Sequence, residues 1–283
     1  MDPINDWIIQ HKIPLGAWVS EGVEFIKAHF AGVFDATSDV VGAAADDLTA
    51  ALVWVPPILM VALLTALIFA LRRSWKLCLF VGAALLFIVN QGYWSDTMST
   101  LSLILFATAI SMAIGVPIGI VCAHRPMIQK IMHPLLDLMQ TLPTFVYLIP
   151  TLVLFGLGAV PGIISTIIFA IAAPIRMTQL GISSVPRSLL EAGEAFGATR
   201  WQRLWKIELP CALPMIQAGL TQCIMLSLSM VVIAALVGAG GLGVPVVRAL
   251  NTVQVDIGFE AGFAIVLVAI ILDRSFRPKE QSR

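Results

Sequence analysis

The 283 residues are 59% hydrophobic and only 12% charged, against roughly 25% charged in an average soluble domain, and the mean hydropathy is +0.94. A water-soluble fold cannot hide that much apolar surface, so the composition points to an all-α polytopic membrane protein. With 17 Lys+Arg against 17 Asp+Glu the formal net charge is zero, and any electrostatic signal lies in where the charges fall.

The chain begins Met1-Asp2-Pro3-Ile4, without the positive and apolar regions of a cleaved signal peptide, so targeting is expected from the membrane helices themselves. Residues 1–50 read as an acidic extracytoplasmic segment. Within it Trp18, Val19, Val23, Phe25, Ile26, Phe30 and Val33 recur near the helical period, with Glu21, Glu24 and Lys27 between them. That pattern suits a helix in the plane of the membrane interface or a short helix packed on neighbouring protein.

A spanning helix needs about 20 mostly apolar residues. Segments meeting that test run near 51–71, 77–94, 99–123, 135–157, 161–179, 215–237 and 256–273, about seven spans in all. Residues 51–94 read as an accessory helix pair, 95–275 as the working core and 276–283 as a cytoplasmic tail. Basic residues gather in alternate connections: Arg72, Arg73 and Lys76; Arg125 and Lys130; Arg187, Arg200, Arg203 and Lys206; then Arg274, Arg277, Lys279 and Arg283, with Arg176 at a helix end. Lys12, Lys27 and Arg248 alone fall on the other side. There Glu21, Asp46, Asp96, Asp256 and Glu260 lie among the acidic residues, which predicts an N-out, C-in chain. The small-residue spacings around Gly115, Gly119, Gly258 and Gly262 permit close helix approach and identify no function.

Cys78, Cys122, Cys211 and Cys223 have neither zinc-site nor disulfide-scaffold spacing and read as buried small apolar residues. His11, His29, His124 and His133 show no metal-ligand pattern and read as interface or loop residues. Asp137, Arg176 and Glu260 fall near helix ends, where a charge either snorkels or caps the helix or marks function.

The most informative stretch is the connection 181–214, too polar to span and too patterned to be slack. Ser188 with Glu191, and Thr199 with Gln202, match the capping box. Gly197 stands where a left-handed C-cap belongs, and Pro210 and Pro214 restrain the chain as it re-enters the membrane. Two short helices are therefore expected, carrying Phe196, Trp201 and Trp205 beside Arg200 and Arg203. They offer a partner surface, or a lid with its tryptophans in the lipid headgroups.

Glu191-Ala192, Gly197 five residues after Ala192, Ile207 and Leu209-Pro210 resemble the EAA loop of ABC-importer permeases, with Gly193 in place of the second alanine. Further blocks extend the likeness over most of residues 10–275: Leu135 to Pro143, Phe145 to Leu148, Leu154 to Gly156, Val160 to Gly162 and Ser229 to Ala234. Together they resemble the ProW-type permeases of glycine betaine and choline importers. The resemblance implies a MetI-like fold, a second permease copy, a cytosolic ABC ATPase dimer holding Mg-ATP and a separate extracytoplasmic binding protein. It also implies that Glu191, Ala192, Gly197, Ala198, Leu209 and Pro210 form the ATPase-coupling loop.

Other chemistry is not indicated. Gly238-Ala-Gly-Gly-Leu-Gly243 matches the dinucleotide string but follows an apolar helix without a βαβ unit, so a tight external re-entry is expected. No P-loop occurs, no metal site or catalytic residue is found, and the basic residues form no single nucleic-acid face. A quaternary ammonium is recognised by aromatic faces. Phe145 and Tyr147, following Pro143, are the candidates for the translocation pathway, against plain core or lipid-facing packing. Three alternatives remain at this point, the first two being an ion-coupled secondary carrier, which calls for inverted repeats and mid-membrane charges, and a non-transporting scaffold. A third is an ABC permease for another substrate such as an amino acid.

Overall fold

Uninterrupted apolar sequence, with few charges and 16 prolines, can satisfy its backbone within a bilayer only as helices broken at defined points. The computed structural model describes residues 14–276, and every regular element among them is helical. A 40-residue helix, α1 (Leu15–Trp54), is kinked at Phe30. α2 (Pro57–Arg72) and α3 (Trp75–Asn90) follow as an antiparallel pair. The core comprises α4 (Trp94–His124), α5 (Pro126–Thr141), α6 (Thr144–Phe155), α7 (Ala159–Ala170), α8 (Ala172–Ser183), α11 (Leu209–Ala235), α12 (Gly243–Thr252) and α13 (Val255–Phe276). Between α8 and α11 lie α9 (Arg187–Ala195) and α10 (Arg200–Arg203).

Among the described residues, four helical stretches are long and apolar enough to cross a membrane: Trp94–His124, Ala159–Ser183, Arg200–Ala235 and Val255–Phe276. Two further pairs pass only as bent units, and Trp75–Asn90 is shorter. Two expected spans are corrected here. Residues 135–157 are not one helix: α5 and α6 meet at 96°, because Pro143 holds Leu142 in an extended conformation (ψ 135°). The segment 51–71 is likewise broken, with a 102° bend after Trp54 where Pro56 and Pro57 follow Val55. The chain before it is one long helix, with no boundary at residue 50. The exposed rings and side chains of Trp18, Val19, Phe25, Ile26, Phe30 and Val33 lie along it. The first 13 residues, with His11 and Lys12, and most of the tail, with Arg277, Lys279 and Arg283, lie outside the described residues.

The packing centre is α8, whose most extensive contacts are with α11 and α4. Glycines set that approach. A Cβ at Gly115 would sit 2.8 Å from the Pro174 ring, and one at Gly119 would sit 2.7 Å from the Ile175 carbonyl oxygen and the Thr178 Cβ. The two helices therefore touch backbone to backbone, as small-xxx-small pairs do in lipid. One buried cluster joins the accessory pair to the core through Ile68, Val81, Ile88, Met98, Ile224 and Val268. Another joins α1 to α4 and α7 through Val41, Leu103 and Ile163, with Phe34 set edge-on to Phe155 at 5.4 Å. The Gly238–Gly243 stretch forms the expected tight turn between α11 and α12, and the Leu242 N–H donates to Thr100 Oγ1 at 2.8 Å. Cys122 and Cys223 are buried as expected, but Cys78 is half-buried and Cys211 is exposed on the first turn of α11.

Candidate functional site: the polar helix pair between α8 and α11

Pro186 stops the chain from continuing α8 and sits at the N-cap of α9, where no side chain caps the backbone. The expected Ser188–Glu191 capping box is therefore absent: proline occupies the capping position, so Ser188 falls inside the first turn. At the other end Gly197 adopts φ +76°. The Gly197 N–H donates to the Glu194 carbonyl at 2.9 Å and the Ala198 N–H to the Gly193 carbonyl at 3.0 Å, which together make a Schellman motif. Ala198 thus contributes its backbone donor to the turn.

The second capping box is present as expected. Thr199 Oγ1 accepts from the Gln202 N–H at 3.3 Å, and Gln202 Oε1 accepts from the Thr199 N–H at 2.9 Å. Thr199→Ala should cost about 1 kcal/mol of local helix stability and speed amide exchange across residues 200–208. Ser188→Ala should leave exchange across α9 unchanged, and an equal effect of both would contradict these caps.

The second short helix does not end before the membrane segment. A π turn at Leu204–Glu208 carries it straight into α11, a correction to the expected re-entry at Pro210. The Leu209 N–H reaches back to the Leu204 carbonyl, five residues instead of four. That widening relieves the proline ring of Pro210 against the preceding turn.

Glu191 and Ala192 are exposed, and Phe196 is 92% exposed. Trp201 and Trp205 are exposed too and meet edge to face at 5.6 Å. The underside of this aromatic ridge is bound together. Gly193, where the EAA pattern has its second alanine, faces Ile207, whose Cδ1 would lie 2.5 Å from a Cβ placed there.

Charges missed in the sequence complete the base. Glu208 is only 3% exposed. Its Oε1 accepts from Arg203 Nε at 3.0 Å, and its Oε2 lies 2.8 Å from His124 Nε2 at the end of α4. Arg203 also pairs with Glu194 of α9. A polar cleft of about 570 Å³ opens between α4 and the helix pair, lined by Arg125, Arg200, Arg203 and Trp201. The sequence signal for Glu208 was an acid within the apolar run Ile207-Glu208-Leu209, and His124 carried none.

The other candidates sit elsewhere. Phe145 lies on an exposed face of α6. Tyr147 turns inward: its hydroxyl donates to the Met139 carbonyl across the α5–α6 elbow. Asp137 pairs with Arg176 and His133 with Gln179, fastening α5 to α8, and Tyr93 donates to Glu260 at 3.5 Å. Among the described residues no group of acidic, His and Cys side chains could hold a metal.

Residues 115–277 match the model of the family described as binding-protein-dependent transport system inner membrane component. The chain belongs to this family. Residue by residue, the permease is 44% identical to the glycine betaine/carnitine transport permease protein GbuB of Listeria monocytogenes, over 95% of this chain and 98% of that one. It is also 44% identical to the glycine betaine transport system permease protein OpuAB of Bacillus subtilis, over 96% and 97%. With ProW of Escherichia coli, a glycine betaine/proline betaine permease, it shares 42% over 97% of this chain and 76% of that one. Among solved structures, the MetNI methionine ABC transporter in inward-facing form superposes with a TM-score of 0.56 at 22% identity, covering 61% of this chain and 87% of that one, which establishes the MetI-like fold. The permease is a multi-pass membrane protein and a component of an importer, which overturns the secondary-carrier and scaffold alternatives. ATPase and binding-protein partners follow from the family in general.

Proposed function

We propose that this permease moves glycine betaine and related quaternary amines, as two copies forming one pathway, with two cytosolic ATPases beneath and a binding protein above. The observation that carries the reading is 44% identity with glycine betaine permeases over nearly the whole length of each chain. The chain would lie N-out and C-in, with the 181–214 connection in the cytoplasm. There the exposed Glu191, Ala192 and Phe196, held by the Gly197–Ala198 motif and by the α11 start at Leu209 and Pro210, would seat on the ATPase. Mg-ATP would be bound and hydrolysed on that partner. Phe145 presents its ring on the outside of one copy, where a second copy would close a shared cavity and a cation–π contact is worth roughly 0.5–2 kcal/mol. Tyr147 would support that cavity by fixing the elbow behind it.

The test is uptake of radiolabelled glycine betaine, carnitine and choline by proteoliposomes holding the permease, its ATPase and its binding protein. ATP-dependent accumulation is expected, strongest for glycine betaine. Accumulation driven by an ion gradient without the ATPase, or transport restricted to another substrate class, would refute it.

A further inference from the structure

We propose that the buried carboxylate of Glu208 and the His124 ring form the joint through which displacement of the coupling loop is passed into α4, so that both are positioning residues of the transport cycle. The proposal rests on the coupling-loop reading above and goes beyond it, since neither residue belongs to the exposed loop surface.

Three features carry it. First, the loop is built as one body. Arg203 bridges Glu194 on α9 and Glu208 in the π turn, Ile207 rests on Gly193, and the Schellman turn and capping box fix the junction between. A push on the exposed ridge therefore moves Glu208 with it. Second, Glu208 is a buried charge, and such a charge persists only where it is paired and hydrogen-bonded. One of its oxygens is held inside the loop by Arg203, while the other faces His124 on a different helix. The two lone-pair faces of one carboxylate thus join two bodies. Third, His124 is itself fixed. Its Nδ1 lies 2.9 Å from the Ile120 carbonyl oxygen one turn back, while Nε2 faces Glu208. The ring thus spans the α4 backbone and the Glu208 carboxylate, with Nε2 2.8 Å from Oε2. Behind His124, α4 is locked onto α8 at Gly115 and Gly119, leaving no slack in which the movement could dissipate. The π turn adds a reason for its own presence: the extra residue in that turn precedes the proline and ends at Glu208, and insertions of this kind recur at functional sites.

The experiment compares His124→Leu, His124→Arg, Glu208→Gln and the His124→Leu/Glu208→Gln double variant in the full complex. Four quantities are read: ATPase copurification, ATP hydrolysis, uptake per ATP hydrolysed, and amide exchange of residues 187–208 in the permease alone. For His124→Leu we expect unchanged copurification, uptake per ATP lowered about tenfold, within the usual range of coupling between sites, and faster exchange across the loop. His124→Arg keeps a nitrogen donor that can reach the Glu208 carboxylate and should stay within about threefold of the parent protein. The double variant should be no worse than the poorer single variant, as residues acting as a unit behave. Unchanged uptake per ATP in His124→Leu overturns the joint, as does loss of uptake together with copurification, which would make the network a mere shaper of the docking surface. An arginine variant as deficient as the leucine variant, or additive single effects, also overturns it. Exchange is read without any transport assay, so a permease that moved no quaternary amine would refute the substrate reading alone. Unchanged exchange in His124→Leu would refute the joint alone.

Discussion

Gly119→Val should abolish the folded permease. The added Cβ would lie 2.7 Å from the Ile175 carbonyl oxygen and 2.7 Å from the Thr178 Cβ, and neither is the end of a flexible side chain that could swing away. The helices must separate. Because α8 is the element against which both α4 and α11 pack, separation loosens the centre of the bundle. Overpacking by a few methyl groups typically costs 1–3 kcal/mol where side chains can adjust. Against backbone the cost should lie at or above the top of that range, a large part of the 5–15 kcal/mol that separates most folded proteins from unfolding. Monodisperse yield in detergent and the thermal midpoint measure it. Gly262→Ala is the control: nothing lies within 4 Å of its Cβ, and removing a helical glycine should help by about 0.5–1 kcal/mol. Parent-like yield and midpoint for Gly119→Val would mean that α4 and α8 are not packed as described.

Gly197→Val should act in the opposite way, leaving the membrane bundle intact and losing transport. Nothing lies within 4 Å of a Cβ at Gly197, so the substitution meets no steric obstacle. Its effect comes from φ +76°, a left-handed conformation that costs a side-chain-bearing residue roughly 1–2 kcal/mol and a β-branched one more. Relief of that strain opens the Schellman turn, freeing α9 from α10 and displacing Phe196. Normal insertion and thermal midpoint are expected, with ATPase copurification and uptake down about tenfold, which is about 1.4 kcal/mol. Gly197→Asn, which tolerates the left-handed region, should retain most of both. Glu191→Lys should lose copurification as well, by reversing a charge on the proposed docking face, where Glu191 is exposed. Parent-like copurification in both Gly197→Val and Glu191→Lys would move the docking surface elsewhere.

What could be read from the sequence follows the range of the interactions involved. Caps and turns are encoded within a few residues, so Thr199 with Gln202 and the glycine at 197 were legible, and Ser188 misled only because Pro186 had already taken the capping position. Apolar content over 20 residues was legible as membrane helix. Direction was not: hydropathy is blind to a 96° bend at Pro143, since the apolar run continues through it and only the extended conformation of Leu142 separates the two arms. The π turn before Pro210 was hidden for a related reason, because the proline reads as a break unless the turn ahead of it widens. The Glu208–His124 contact was beyond reach, since it depends on how the end of α4 meets a loop far along the chain. Even with both residues noted, nothing local says that they meet.

The uneven burial of the four thiols gives the molecule a natural reporter. Cys122 and Cys223 are closed off, whereas Cys211 stands free one residue after Pro210, at the foot of the polar helix pair. With Cys78 replaced by serine, a maleimide spin label should attach at that one address without any engineered cysteine. In a two-copy complex the pair of labels would then form a symmetric ruler, whose length could be followed through each nucleotide state of the cycle.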